Sequence, residues 1–317
     1  MKATALAPAN IAFIKYWGRK DQMSRIPRNA SISMNLSACT TTTTIDFSPT
    51  YSKDTVFGGF NVQEEKRIID HIDRVRNIAG IRDRAHIMTE NSFPKSAGIA
   101  SSASGFAALT AASVSALGLT ISERELTGLA RLGSGSACRS IPDGFVKWEG
   151  EYARTLFPPD HWTLCDIIVI VDKTTKDISS SEGHDRAESS PFFINRLQTL
   201  PERILRCEKA LKSKNFDLLG EVIEEDCLDM HHVMQTQNPP LMYWNSTTKK
   251  IMDSVKVWRT KGIPVYFTID AGPNVHLICE RKDEDRVMKS VKKINGIQKI
   301  IPNSSSKGTH VVNAHLF

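Results

Sequence analysis

Apolar side chains recur every three or four residues in several segments of the chain, a pattern that indicates amphipathic helices. Within residues 62–78 they fall at Ile68, Ile72 and Val75, while arginines occupy the other faces. Residues 101–117 are rich in alanine, leucine and serine, so we expect a buried helix there. Helical patterns also predict helices at about 122–133, 190–211, 216–234, 248–261 and 283–294.

Three of these helices carry recognisable signals at their ends. Ser122 followed by Glu125 forms a capping box, which marks a helix start. Ser190 and Pro191 suit an N-cap and a first helical turn. Gly262 suits the C-terminal end of the helix before it.

Strands are predicted where β-branched or continuous apolar residues occur. The threonines of residues 40–44 lead into Ile45 and Phe47, which favours a strand over a linker. A chain of 317 residues is long for a single core, so we expect two lobes or one large unit. The polar stretch 173–188 is the predicted boundary, dividing lobes at 1–180 and 181–317. The other predicted strands are 145–148, 165–171, 265–269, 275–279, 297–301 and 310–312.

Composition and charge exclude several classes of protein. Apolar residues make up 40% and charged residues 24%, which is ordinary for a globular chain. The net charge of +6 is spread along the chain, so it favours a solvated surface or a phosphate-binding cleft over nucleic-acid binding. No two of the six cysteines have C-x-x-C spacing, so neither a zinc site nor a redox motif is indicated. Scattered thiols in a chain of this length favour a reducing cytoplasm. No signal peptide is recognised, and the apolar run 167–171 is too short to span a membrane.

Small residues crowd the stretch 94–104, which enters a predicted helix. Gly98 permits positive φ, and the helix start presents free N–H groups and the positive end of its dipole. Ser101, Ser102 and Ser104 add hydroxyl donors. The spacing matches neither the Walker A loop nor the dinucleotide fingerprint. Taken alone, the stretch is either an anion-binding turn or a helix packed closely on a sheet.

Three further stretches stand beside it. They are APANIAFIKYWGR at 7–19, GSGSACRS at 133–140 and DAGPN at 270–274. With the turn at 94–104, this order of motifs resembles the GHMP kinase superfamily and, within it, the mevalonate diphosphate decarboxylases. The resemblance implies an α+β fold of two lobes with a deep cleft. It also implies ATP and Mg²⁺ as cofactors, and ATP-dependent decarboxylation of a phosphorylated mevalonate on the route to isoprenoids. Relatives are often homodimers.

The resemblance assigns three charged residues to catalysis. Asp270 would orient or deprotonate the substrate hydroxyl. Lys15 would keep that carboxylate ionised. Arg139 would bind the substrate carboxylate with a bidentate guanidinium. Without the resemblance, these residues would be interpreted as a turn aspartate, a lysine at a strand end and half of a structural salt bridge.

Other residues are assigned by the same resemblance to the two substrates. Arg19 stands where the family has a lysine. No metal ligand is identified from the sequence, since Mg²⁺ is implied only by the chemistry of ATP. The phosphorylated acid is assigned to Tyr16, Trp17, Gly18, Arg19, Arg67, Ser134, Gly135, Ser136, Ala137, Cys138, Ser189 and Ser190. ATP is assigned to Pro94, Ser96, Ala97, Gly98, Ala100, Ser101, Ser102 and Ser104.

One segment departs from the family pattern. Diphosphate-using relatives carry G-M-K-R-x-x-x-T-S, whereas this chain has GHDRAESS at 183–190, one residue shorter and with Asp185 in place of a lysine. An acidic group near a diphosphate is repulsive. We therefore predict that 5-phosphomevalonate is at least as good a substrate as the diphosphate.

Two alternatives share the fold but change the function. One is a kinase that phosphorylates the C3 hydroxyl without decarboxylation, and the other is a catalytically silent binding protein. The presence of Asp270, Lys15 and Arg139 together favours the decarboxylase.

Three other groups of residues are expected to be structural. Adjacent histidines point to different faces of a helix, so His231 and His232 are not expected to bind a metal. The lysines Lys249, Lys250 and Lys256 are expected on a solvated helix face. Trp244 and Trp258 are expected to pack in the core or in a groove.

Overall fold

Strands and helices alternate from one end of the chain to the other. The computed structural model describes residues 1–94, 101–172 and 180–317. The strands are β1 (Lys2–Ile14), β2 (Ser31–Ser48), β3 (Thr55–Phe57), β4 (Arg84–Asn91), β5 (Phe145–Glu149), β6 (Tyr152–Phe157), β7 (Leu164–Ile170), β8 (Tyr266–Thr268), β9 (Val275–Glu280), β10 (Lys299–Ser304) and β11 (His310–Val312). The helices are α1 (Val62–Ala79), α2 (Ser101–Ala116), α3 (Glu123–Gly133), α4 (Ser180–Arg186), α5 (Phe193–Ser213), α6 (Phe216–Thr236), α7 (Ser246–Thr260) and α8 (Glu284–Val291). This mixture confirms the predicted α+β class.

Two sheets organise these elements. The first has the strand order β11-β1-β2-β4-β3, and β5 and β6 extend it from β2. The second has the order β10-β7-β9-β8, and β7 is buried along its whole length. Strand β11 belongs to the first sheet and β7 to the second, so each sheet draws strands from both sides of residue 180. The lobe boundary at that residue stays a prediction.

Helix ends with local signals lie close to where the sequence predicts them. The Ser122 side chain accepts from the Glu125 N–H and the Glu125 carboxylate accepts from the Ser122 N–H, which confirms the capping box of α3. Asn61 and Glu64 form a second capping box at the start of α1, and Gly80 ends that helix in the left-handed conformation.

The predicted start of α5 at Ser190 is wrong, because the helix begins at Phe193. The Ser190 N–H closes a 3-10 turn by donating to the Ala187 carbonyl. Its hydroxyl accepts from the Phe192 N–H at 3.2 Å and bonds Thr236 of α6 at 2.7 Å. These bonds hold Ser190 in a turn against α6 and delay the helix by three residues.

Strand β1 was not among the predicted strands, although Lys15 was interpreted, without the resemblance, as a lysine at a strand end. The strand tolerates Pro8 for two reasons: its pairing with β2 shifts register there, and β11 covers only Thr4 to Leu6 on its other side. Strands β3, β4 and β6 and helix α4 were also not predicted.

Strand β1 connects the two main hydrophobic cores. Ala5 and Ala7 pack in the core between the first sheet and helices α1 and α2. Phe13 and Ile14 pack in the core formed with the second sheet and helices α5 to α8. The end of β1 therefore lies at the junction of the cores, which fixes the residue that follows it. No helix in the described parts of the chain is long and apolar enough to cross a membrane.

Candidate active site

A cleft of about 600 Å³ opens beside the end of β1. Its walls come from the segment after β1, the first turns of α1 and α2, the turn at 134–139, helix α4 and the turn after β8. The structure brings twelve of the sequence-predicted site residues to this cleft: Lys15, Tyr16, Trp17, Arg19, Arg67, Ser101, Ser102, Ser134, Gly135, Ser136, Arg139 and Asp270.

An ion pair between Lys15 and Asp270 lies in the cleft. The Lys15 Nζ is 2.6 Å from Asp270 Oδ1, and the lysine side chain is 2% exposed against 24% for the aspartate. Burial acts to raise the pKa of the Asp270 carboxyl, but the Lys15 ammonium, and after it His276 and Arg139, outweigh that and hold the pKa below its ordinary value. Asp270 is therefore an ionised carboxylate at neutral pH, open to the cleft.

The backbone of Lys15 is held on both sides. Its N–H donates to Oδ2 of the fully buried Asp226 at 2.7 Å. Its carbonyl accepts from the Asn29 amide at 2.9 Å and from Arg196 at 3.5 Å. Arg196 is itself fully buried and bonds Asp226 at 3.2 Å. A buried ion pair thus fixes the peptide from which the Lys15 ammonium extends.

Helix α6 also supports the turn that carries Asp270. His231 lies 3.2 Å from the Ile269 carbonyl through Nε2. The Ile269 N–H donates to the Cys227 sulfur at 3.2 Å. Because Asp226 lies on the same helix, α6 positions both members of the Lys15–Asp270 pair.

Arg139 presents a buried guanidinium that forms no ion pair with a carboxylate among the residues that the structure describes, although the Asp270 carboxylate acts on it from a distance. Its Nε donates to Asn10 at 3.2 Å and its Nη1 donates to Ser31 at 2.8 Å, both neutral groups. The side chain is 4% exposed and lines the cleft. A buried cation without a carboxylate in direct contact is costly unless a ligand supplies the anion, so Arg139 suits a carboxylate ligand.

The turn after α3 approaches the aromatic wall of the cleft closely. A Cβ at Gly135 would lie 2.8 Å from the Tyr16 ring, so only glycine fits there. Burial raises the pKa of Tyr16 to about 12, and the phenol remains a neutral donor. Trp17 is 1% exposed and forms part of the wall behind it.

Several predicted substrate residues do not line the cleft. Ala137 packs in the hydrophobic core, and the Cys138 thiol is buried and donates to the Gly135 carbonyl. Ser189 donates to the Arg186 carbonyl and accepts from the Asn238 N–H. Ser190 bonds Thr236, as described above, and the Gly18 N–H bonds His184. These five residues shape the surrounding turns.

Only part of the predicted nucleotide turn can be placed. Ser101 and Ser102 line the cleft, and a cavity with Phe60, Ile68 and Phe106 in its wall adjoins them at the start of α2. Ser104 does not face the cleft, because its buried hydroxyl bonds Thr41 at 2.6 Å. Pro94 is described but does not line the cleft, and Ser96, Ala97, Gly98 and Ala100 lie outside the described residues.

Arg25 is a cleft residue that sequence reasoning missed. Its Nε donates to the Leu132 carbonyl at 3.2 Å, and no acidic partner is found in the described parts of the chain. Burial, and after it repulsion from Arg67 and Arg19, lowers the pKa of Arg25 to about 10. Mutual repulsion among cations indicates a site prepared for an anion. The basic composition of residues 19–28 was the available signal.

Arg19 is paired more fully than its neighbours. Its guanidinium donates to Asp185 at 2.7 Å and to the Ser181 carbonyl at 2.7 Å. Arg67 donates to the Gly133 carbonyl, and Glu64 of the same helix partly offsets its charge. This part of the cleft therefore combines the Arg19 guanidinium, neutralised by Asp185, with those of Arg25 and Arg67.

The paired histidines, the two tryptophans and the lysine cluster have the burial and packing that the sequence predicts. His231 is buried, whereas His232 is exposed and lies 4.2 Å from Phe192 between ring centroids, so the pair does point to different faces. Trp244 packs against His231, and Trp258 packs against the main core. The lysines at 249, 250 and 256 are exposed on α7.

Hydroxyl groups at the start of α2 suit a magnesium ion that arrives with a nucleotide. Mg²⁺ bound to nucleotides keeps most of its ligands from phosphate and water and needs few from protein. Ser101 and Ser102 supply such oxygen atoms at the cleft. No cluster of three or more histidine, cysteine or acidic side chains that could hold a metal occurs among the described residues.

Two family models match consecutive parts of the chain. The diphosphomevalonate decarboxylase-like N-terminal domain matches residues 7–155, and the mevalonate 5-diphosphate decarboxylase C-terminal domain matches residues 166–315. The chain is 33% identical to diphosphomevalonate decarboxylase of Candida albicans over 312 residues, and this alignment covers 90% of this chain and 86% of that relative. It is 32% identical to the Bos taurus protein of that name over 302 residues, and this alignment covers 86% of this chain and 75% of that relative.

Solved structures match the whole fold. Mevalonate diphosphate decarboxylase from Staphylococcus aureus gives a TM-score of 0.93 at 36% identity, covering 98% of both chains. The enzyme from Enterococcus faecalis gives 0.92 at 35% identity, covering 99% of both. A solved complex of MDDEF with MVAPP, AMPPCP and magnesium also gives a TM-score of 0.92 at 35% identity, covering 99% of both chains.

Proposed function

Because the chain belongs to the diphosphomevalonate decarboxylase family, we propose that it uses ATP to decarboxylate mevalonate diphosphate. The products are isopentenyl diphosphate, ADP, phosphate and carbon dioxide. The observation that carries the proposal is the presence in one cleft of the Lys15–Asp270 ion pair and the Arg139 guanidinium, which forms no ion pair with the described residues. The cleft thus holds a carboxylate for a hydroxyl group and a cation for a carboxylate.

Asp270 serves the first half of the reaction. Its ionised oxygen accepts a hydrogen bond or a proton from the tertiary hydroxyl at C3 of the substrate. That hydroxyl oxygen forms a bond to the γ-phosphorus of ATP, and ADP leaves with the electrons of the broken P–O bond. Lys15 keeps Asp270 ionised and places a positive charge beside the oxygen atoms that gain charge.

Arg139 serves the second half. It holds the substrate carboxylate while the C3–O bond breaks and phosphate leaves with its electron pair. The electrons of the bond between the carboxyl carbon and C2 form the new double bond, and carbon dioxide leaves. Only the decarboxylase acts on the carboxyl group itself, so the presence of Arg139 together with the Lys15–Asp270 pair favours it over a kinase that stops after phosphorylation.

ATP and Mg²⁺ occupy the end of the cleft at α2 in this proposal. The dipole at the start of the helix attracts phosphate oxygens. Ser101 and Ser102 would contact the bound ion, which supplies charge neutralisation to the transferring phosphoryl group.

The diphosphate is the proposed substrate, and 5-phosphomevalonate is the second candidate. The ion pair of Arg19 with Asp185 favours the second, since it removes one guanidinium from the phosphate site. The same pair also neutralises Asp185, so the repulsion that the sequence suggested is largely absent. Arg25 and Arg67 remain for the second phosphate of the diphosphate.

Assays with both substrates test this assignment. We expect one carbon dioxide released per ADP formed, and a kcat/KM at least about tenfold higher for the diphosphate, because its extra phosphate forms further charged hydrogen bonds. A higher kcat/KM for 5-phosphomevalonate would reverse the order of the candidates. ADP formation without carbon dioxide would identify a kinase instead.

Replacing Arg25 by glutamine tests the phosphate end of the cleft. We expect KM for mevalonate diphosphate to rise about tenfold or more, because a charged hydrogen bond to phosphate is lost. Exposed Arg82→Gln removes the same charge away from the cleft and is the matched control. Equal KM values for the two variants would show that Arg25 does not bind phosphate.

Two features of the chain stay predictions. A cytoplasmic location rests on the cysteine content. Homodimerisation rests on the resemblance alone, and light scattering of the purified protein measures it directly.

A further inference from the structure

The imidazole of His184 lies in the cleft wall between two aromatic rings. The residue is on α4, is half-buried and lines the cleft. Its ring centroid is 4.1 Å from that of Tyr16 and 4.5 Å from that of Trp17. These neighbours hold the imidazole in a fixed orientation.

One ring nitrogen is committed to the protein backbone. The Gly18 N–H donates to His184 Nδ1 at 3.0 Å. Gly18 has a φ of +85°, and a Cβ there would lie 2.5 Å from Phe193, so glycine is required for this approach. Because Nδ1 accepts, the neutral ring carries its proton on Nε2. Among the described residues, Nε2 has no hydrogen-bond partner.

The charges around the ring keep it neutral. Burial, and after it repulsion from Arg19, Arg25 and Arg139, lowers the pKa of His184 to about 3. Asp185, the nearest acidic neighbour in sequence, is paired with Arg19. Tyr16, on the other side, is an uncharged phenol at neutral pH. His184 is thus an uncharged N–H donor among three guanidinium groups.

We propose that His184 is a substrate-binding residue whose Nε2–H donates a hydrogen bond to a phosphate oxygen of mevalonate diphosphate. This inference rests on the proposed function of the cleft. The ring lies within electrostatic range of Arg139, which suits the carboxylate, and of Arg19 and Arg25, which suit the phosphates. A neutral donor at this junction adds directional recognition of an oxygen atom without a further cation.

Two substitutions separate the two nitrogens of the ring. His184→Asn keeps an acceptor near Nδ1 for the Gly18 N–H and removes the Nε2 donor. His184→Gln places an amide donor near Nε2. We expect His184→Asn to raise KM for mevalonate diphosphate about tenfold, with a much smaller change in kcat, and His184→Gln to stay within about threefold of wild type.

His232→Asn is the matched control, because His232 is exposed on α6 outside the cleft, and its KM should equal that of wild type. A wild-type KM for His184→Asn would overturn the inference. So would equal losses in the asparagine and glutamine variants, since the donor would then not matter.

A titration of the wild-type protein tests the contact without any variant. The Nε2–H of His184 is expected to give a side-chain ¹H–¹⁵N signal that shifts, and exchanges more slowly with water, when mevalonate diphosphate is added without ATP. An unchanged signal at saturation would overturn the inference. Failure of wild type to release carbon dioxide would instead contradict the proposed function, and the titration would still report whether His184 contacts the ligand.

Discussion

Replacing Asp270 by asparagine is expected to lower kcat by about 10³- to 10⁴-fold, the upper part of the range of about 10²- to 10⁴-fold that a positioned acid–base group supplies. The amide keeps an oxygen that can accept from Lys15 at the 2.6 Å contact, so the turn after β8 should persist. What it loses is the negative charge that orients and deprotonates the C3 hydroxyl. ADP, phosphate and carbon dioxide should fall together, because phosphorylation precedes both later losses.

The control for this variant is Asp253→Asn on the exposed face of α7, which should have wild-type kcat. Nucleotide binding, measured with an ATP analogue, should be largely kept in Asp270→Asn, because Ser101 and Ser102 at the nucleotide end are untouched. Turnover within about tenfold of wild type would remove Asp270 from the mechanism.

Elements with local signals were predictable from the sequence. The capping box of α3 needs only Ser122 and Glu125, and both of its hydrogen bonds form within the first turn. The apolar face of α1 needs only the spacing of Ile68, Ile72 and Val75, all buried in the structure. Neither feature depends on which partner the element finds, so the sequence alone suffices.

Elements decided by distant partners were not predictable in the same way. Whether β1 can accommodate Pro8 depends on β11, which covers only Thr4 to Leu6 and leaves that part of the edge uncovered. Ser190 has the residue type of an N-cap, yet Thr236, on a different helix, takes its hydroxyl. In both cases the position of a distant element decides the outcome, which local preference alone does not fix.

The candidate site shows the same division. Lys15, Arg139 and Asp270 come from distant parts of the chain, and the resemblance implied that they share one cleft, as the structure shows. Their catalytic roles stay predictions. Ser104 has the right residue type, but its hydroxyl turns to Thr41, a contact that no spacing in the sequence reveals.

Two cleft residues were not predicted from the sequence. Arg25 lies outside the motifs, and His184 lies within the segment 183–190 but was not assigned a role. Arg25 belongs to a loop without a fixed pattern, so only its charge pointed to an anion site. His184 stands next to Asp185, and the sequence drew attention to the aspartate because its charge was unexpected. The structure reverses that emphasis, since Asp185 is paired with Arg19 and the imidazole has a donor with no partner among the described residues.

The buried pair of Asp226 and Arg196 predicts the second large effect, on stability as well as activity. Both side chains are fully buried, with Arg196 Nη1 at 3.0 Å from Asp226 Oδ1. Asp226→Leu leaves the guanidinium short of a charge partner, although Asp229 remains at 2.7 Å. Breaking a buried pair from one side costs about 3–5 kcal/mol, so we expect a loss of unfolding free energy near the lower end of that range. Denaturant titration measures it, and exposed Glu221→Gln on the same helix should change stability by less than about 0.5 kcal/mol.

Removing both partners separates stability from positioning. The double variant Asp226→Leu with Arg196→Met should recover much of the lost stability, because apolar residues of similar size can replace a buried ion pair at little cost. It should not recover kcat, since the Lys15 N–H still lacks its acceptor at 2.7 Å and its carbonyl has lost Arg196. Full recovery of both quantities would mean that Asp226 only stabilises the fold. Recovery of stability with kcat still low would mean that α6 holds Lys15 in register with Asp270, so that a buried ion pair outside the cleft sets the geometry of the charged pair within it.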